Sequence, residues 1–177
     1  LGATTQLGAG SSLAPVARRV SIVVENGRLV TAMAAVQASF GGGGVTFNDP
    51  VTFNAPVAPG SITVNGALAG AGNASITING SGSTTTLSAG ITTAGTDITI
   101  NDAVTLGANV TLSTGAGTGN ITITGAVDAD LAANNRTLGL TAGTGNVDLQ
   151  GAVGASQALA SLTVTSAAQV GLDDVTA

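Results

Sequence analysis

The residues of this chain best equipped for chemistry are its aspartates. Asp128 and Asp130 stand two apart in "VDADL", Asp173 and Asp174 are adjacent in "GLDDV", and Asp102 and Asp148 lie singly in the repeats. Two carboxylates at the right separation can cleave a glycosidic bond, one as the acid and the other as base or nucleophile. Carboxylates together with loop carbonyls also bind calcium. Neither use is well supported by the surroundings. Asp102, Asp128 and Asp148 fall at different places within their repeats, and no aromatic platform for a sugar follows Phe53. The acids match neither the EF-hand loop nor the Gly-Gly-x-Gly-x-Asp nonapeptide. Solvated loop acids are therefore the simpler reading, with calcium the one cofactor they suggest.

Other chemistries lose their usual groups. Histidine and cysteine are absent, which removes the common general base, the nucleophilic triads and most zinc sites. No disulfide is available to the fold. The glycine tracts "GSGS" (80–83) and "GAGTG" (115–119) lack the Lys-Ser/Thr ending of a phosphate loop, so they read as corners of the chain. No residue is assigned a catalytic, cofactor-binding or metal-binding role.

The elements that must carry these residues show in the composition. Of 177 residues, 44% are hydrophobic and only 7% charged, against about 25% charged in an ordinary domain. The aromatics are Phe40, Phe47 and Phe53 alone. A core of Val, Ile, Leu, Ala and Thr suits thin, repeated layers rather than one irregular interior. Nine acidic residues face four arginines and no lysine, giving a net charge of −5. Without a basic stripe, neither nucleic acid nor an anionic membrane surface is an expected partner. The longest apolar stretch, 29–40, is too short to span a bilayer and is interrupted by Thr31, Gln37 and Ser39.

An apolar–Thr–apolar triplet recurs from Val45 onward. It appears as Val45-Thr46-Phe47, Val51-Thr52-Phe53, Ile62-Thr63-Val64, Ile76-Thr77-Ile78, Ile98-Thr99-Ile100 and Ile121-Thr122-Ile123, then as Val147-Asp148-Leu149. From Ile76 on the starts keep a nearly constant period, falling at Ile76, Ile98, Ile121, Val147 and Val170. Period-two alternation turns the aliphatics to one side and Thr or Asn to the other. Each interval holds another strand-like piece, "NVTLST" (109–114), "RTLGLT" (136–141) or "SLTVTS" (161–166), and "AGTGN" precedes two of the triplets.

A repeat of about 23 residues with two or three short strands is the size of one solenoid coil. The expected fold is all-β, a β-solenoid in the form of a right-handed parallel β-helix, with a β-sandwich as the alternative. Ile76, Ile98, Ile121 and Val147 should form one inward stack, and Ile78, Ile100, Ile123 and Leu149 a second. The longest interval, from Ile121 to Val147, should carry "DADLAANN" (128–135) as an outward loop. The earlier triplets, starting at Val45, Val51 and Ile62, stand closer together and read as a tapered start. Residues 1–44 form an N-terminal lead-in and cap, with a hairpin at Asn26-Gly27, a helical turn in 33–40 and a break at "GGGG" (41–44). Residues 45–177 form the repeat body.

Units such as "GTGNITITGAV" (117–127) and "GAVGASQALASLTVTSAAQV" (151–170) resemble the β-strand repeats of filamentous-haemagglutinin-like and autotransporter-passenger exoproteins, which are bacterial surface adhesins. The resemblance covers roughly residues 45–177. It implies a non-enzymatic structural or adhesive module outside the cell, at the bacterial surface. Expected partners are adjoining repeats of a longer chain or a second subunit stacked end to end by strand addition, with a surface receptor or glycan beyond them. A carbohydrate-binding or carbohydrate-active β-helix protein is the alternative. The threonine array also resembles the flat face of ice-binding proteins, but its decay to Asp148-x-Gln150 favours a structural ladder.

Overall fold

The computed structural model describes residues 22–25, 28–31, 45–54 and 62–176. Among them, sixteen strands follow in chain order. They are β1 (Ile22–Glu25), β2 (Arg28–Thr31), β3 (Val45–Phe47), β4 (Val51–Asn54), β5 (Ile62–Val64), β6 (Leu68–Gly70), β7 (Ile76–Leu87) and β8 (Ile91–Thr93). The rest are β9 (Ile98–Leu106), β10 (Val110–Ser113), β11 (Ile121–Ile123), β12 (Val127–Ala129), β13 (Thr137–Thr141), β14 (Asn146–Leu149), β15 (Ser161–Ser166) and β16 (Gln169–Leu172). The strands β1 and β2 pair antiparallel with Glu25 opposite Arg28, and Asn26 and Gly27 between them lie outside the described residues. The lead-in 1–19, the helical turn expected in 33–40 and the glycine break 41–44 lie outside the described residues.

Every strand pair from β3 onward is parallel. The chain is a β-solenoid, and the β-sandwich alternative falls, because sandwich sheets are built from antiparallel strands. Three columns of strands repeat along it. The first is β3-β6-β8-β10-β13-β15, and the second is β4-β7-β9-β11-β14-β16. The third runs from β5 to the second half of β7, the second half of β9 and β12, then continues as single bridges at Val153 and Val175. Six strands in the first column mark five turns.

This register corrects the expectation of a tapered start. The triplets at Val45, Val51 and Ile62 are not crowded successive copies. They are β3, β4 and β5, one for each column of a single coil. Each pairs with its counterpart one coil later, Val45 with Leu68, Val51 with Ile76 and Ile62 with Thr85. The short intervals measure passage from one column to the next, and the step from Val45 to Leu68 measures the coil.

The expected inward stacks form as read. Ile76, Ile98 and Ile121 pair in register and are fully buried, as are Ile78, Ile100 and Ile123. With Leu68, Leu87, Leu106, Leu112 and Leu140 they belong to one hydrophobic cluster. Successive strands at the usual spacing of about 4.8 Å put β-branched side chains in direct contact from coil to coil. On the outer side of the second column, Thr52, Thr77, Thr99 and Thr122 follow one another in register. Beside them runs an amide ladder. Asn79 Nδ2 donates to Asn54 Oδ1 at 2.7 Å, and Asn101 Nδ2 donates to Asn79 Oδ1 at 2.8 Å.

The repeated "AGTGN" makes the corner between the first and second columns. A Cβ on Gly145 would overlap the carbonyl oxygen of Gly119, and one on Gly119 would overlap that of Thr96. Only glycine lets the backbones stack this closely. Thr114, buried in the same corner, donates its hydroxyl to the Gly119 carbonyl at 2.8 Å.

Candidate functional site

The two aspartates singled out by spacing do not form a shared site. Alternation along β12 turns Asp128 outward, where its Oδ1 accepts the backbone N–H groups of Ser156 (2.9 Å) and Gln157 (3.0 Å) from the next coil. Asp130 begins the outward loop. A single 3₁₀ turn, Ala132–Asn134, follows it, and Asn135 closes that turn with φ 50°. Arg136 Nε and Nη2 grip Asp130 at 2.9 and 2.7 Å, a bidentate pair. Asn134 Nδ2 and the Leu131 N–H add to it at 3.0 and 2.8 Å. These hydrogen bonds, Arg136 foremost, hold the Asp130 carboxyl well below the ordinary carboxylate range. Ala132 N–H donates to Gln157 Oε1 at 3.0 Å, which ties the loop to the next coil. The acids of "VDADL" are thus occupied in fastening loops.

Asp102 is the group whose role spacing alone did not reveal. It is 8% exposed and accepts the Thr85 hydroxyl at 2.8 Å through Oδ2. It fills the space beneath Gly80, where a Cβ would collide with its carboxylate. Here the preceding coil carries extra residues between Asn79 and Thr84, while β9 turns the corner without them. Burial pushes the Asp102 carboxyl up, against the opposing hydrogen bonds from Thr85 and the Ala103 backbone. The signal was present in the parity of β9. Ile98, Ile100, Asp102, Val104 and Leu106 are its buried residues, so period two places Asp102 inward.

The last coil carries the surface that stands out. Val170, Leu172 and Val175 occupy core register above Val147, Leu149 and Val153. The lower three are at most 1% exposed, whereas Val170, Leu172 and Val175 are 47%, 43% and 38% exposed. Beside them Asp148, Leu149, Gln150, Gly171, Leu172 and Asp173 line an open hollow of about 310 Å³. Gly171 leaves room where earlier coils have threonine, and Gln150 Nε2 donates to Asp148 Oδ2 at 2.7 Å across its floor. Chemically the surface offers an apolar stripe, edges of β15 and β16 that no further described strand pairs, and an acidic rim.

The acids weighed as calcium ligands divide between these places. Asp173 and Asp174 sit on the exposed last coil and Asp128 and Asp130 in the anchored loops. Among the described residues, no three acids group closely enough to hold a metal ion. Nor is any helix among them long and apolar enough to cross a membrane. No family model, no characterised protein and no solved structure matches the chain.

Proposed function

We propose that the chain is a non-enzymatic structural module, a stalk or fibre segment of an extracellular surface protein. It would be extended at its last coil by strand addition from adjoining repeats or from a second subunit. One observation carries this reading. The inward stack of the second column keeps one register from Val51 through Ile76, Ile98, Ile121 and Val147 to Val170, so each coil presents the next with a matching apolar row. An exposed edge with apolar residues in register is a template for a further strand. Backbone groups along the columns bond to neighbouring coils, and the aliphatic core stiffens the stack.

Sizing and electron microscopy of the purified chain test this. Concentration-dependent end-to-end species, lost in Val170→Asp with Leu172→Asp, are expected. A chain that stays monomeric at high concentration argues against self-assembly.

A carbohydrate-binding role is the second reading, and the hollow beside Asp148, Gln150 and Asp173 favours it. A glycan array with Asp148→Asn and Asp173→Asn examines it. Binding lost in both variants would support a lectin-like surface.

A further inference from the structure

Five Asn-x-Ser/Thr triplets occur in the chain, at Asn73, Asn79, Asn109, Asn120 and Asn135, none with proline in the middle. Such a triplet is the acceptor pattern for N-linked sugar. The fold divides the five by what each side-chain amide nitrogen already does.

In two of them the nitrogen bonds to another coil. Asn79 sits inside the amide ladder, its Nδ2 donating to Asn54 and its Oδ1 accepting from Asn101. Asn120 Nδ2 donates to Asp97 Oδ1 at 3.2 Å, while its Oδ1 accepts the Asn146 N–H at 2.9 Å. A sugar on either nitrogen would displace coil-to-coil contacts. Both asparagines are also only half-exposed, and Asn79 lies inside strand β7.

The other three present an exposed asparagine at a corner. Asn73 lies in the turn between β6 and β7, and Asn109 immediately precedes β10. Asn109 accepts the Thr137 N–H at 3.1 Å through its Oδ1, so this contact does not use its nitrogen. Asn135 ends the outward loop with φ 50°, and its Nδ2 reaches the Ala133 carbonyl only at 3.4 Å. Thr111, the hydroxyl residue of the Asn109 triplet, is exposed too.

We propose that Asn73, Asn109 and Asn135 are acceptor sites for N-glycosylation, and that Asn79 and Asn120 are closed by the fold. The donor class is a sugar activated through a diphosphate. The asparagine nitrogen attacks the anomeric carbon, a C–N bond forms and the C–O bond to phosphate breaks. The diphosphate leaves with the electron pair, and the amide loses one proton. The sugars project from the corners, clear of the threonine and asparagine ladders on the outer side of the second column.

The test uses the folded chain with an N-glycosyltransferase that accepts a nucleotide-activated hexose. Synthetic peptides spanning each of the five triplets serve as fold-free references. Site-mapped mass spectrometry should find hexose at Asn73, Asn109 and Asn135 of the folded chain and none at Asn79 or Asn120, although all five peptides are accepted. Each of Asn73→Gln, Asn109→Gln and Asn135→Gln should remove one hexose with the circular dichroism unchanged. The proposal is overturned if the three sites stay unmodified in the folded chain or in their peptides. It is equally overturned if Asn79 and Asn120 are modified to the same extent as the others. Either outcome leaves the stalk reading untouched, because that reading is tested by assembly.

Discussion

Replacing Ile100 by alanine probes the stacked core most directly. Ile100 is fully buried in β9, with Ile78 below and Ile123 above it in register. The change deletes three carbons, worth about 2.4 kcal/mol at ~0.8 kcal/mol per buried methylene. The flanking isoleucines are fixed by their own coils and cannot collapse fully into the gap. A residual void of roughly 50 Å³ at ~24 cal/mol per Å³ adds about 1 kcal/mol. The expected loss is therefore about 3.5 kcal/mol, or a fall in melting temperature of roughly 7–14 °C for a chain of this size. Urea and thermal unfolding followed by circular dichroism measure it. Thr99→Ala, one residue away and pointing outward, is the internal control and should change stability by less than about 0.5 kcal/mol. Similar losses for the two variants would refute the inward assignment of Ile100 and with it the register of the second column.

Three further outcomes follow from particular contacts. The Asp102 carboxyl is raised above its ordinary 3.8 by burial, so the stability Asp102 itself contributes is fullest below that value and is lost as pH rises through the folded-state value. Asp102→Asn removes this dependence. Melting temperature against pH should show the variant gaining on the parent as pH rises, and a gap moving the other way would contradict the buried placement. Gly145→Ala pushes a Cβ into the Gly119 carbonyl and should cost about 1–3 kcal/mol through backbone displacement; a neutral result in denaturant titration would show that the corner has slack. Arg136→Gln should return the Asp130 carboxyl toward its ordinary range, because Arg136 is the first cause of its depression. The stability that pairing gives is present above the ordinary carboxylate value and fades as pH falls through the depressed one. An NMR titration of Asp130 that is identical in parent and variant would remove Arg136 from that role.

The columns were readable because one triplet kept its parity from Ile76 to Val147. Val147-Asp148-Leu149 was placed correctly even though aspartate had replaced threonine, since the inward positions alone define the register. The first coil hides its register for a related reason. Val45, Val51 and Ile62 carry the same triplet chemistry, and nothing in an apolar–Thr–apolar pattern says which column it occupies. That assignment depends on which strand lies above, a contact one whole coil away along the chain. "DADLAANN" was legible as a loop from the added length of its coil, but the Arg136 clasp on Asp130 depends on where the chain returns to β13. Spacing leaves Asp102 a dispersed acid because its partner Thr85 and the space under Gly80 belong to the coil before it. Spacing along one strand reports facing, whereas partners across coils come only from stacking.

The bonding between coils also sets how the molecule would respond to force. Strand-to-strand hydrogen bonds run along the solenoid axis, so axial tension loads them end on, and a coil at an extremity can peel without disturbing the next. Releasing one coil, such as the step from Val45 to Leu68, frees about 80 Å of contour at ~3.5 Å per residue in place of the ~4.8 Å it occupied when stacked. The repeat is thus a quantum of extension. A rod built this way lengthens in discrete steps under load and can give way from its end while the remaining coils keep their shape.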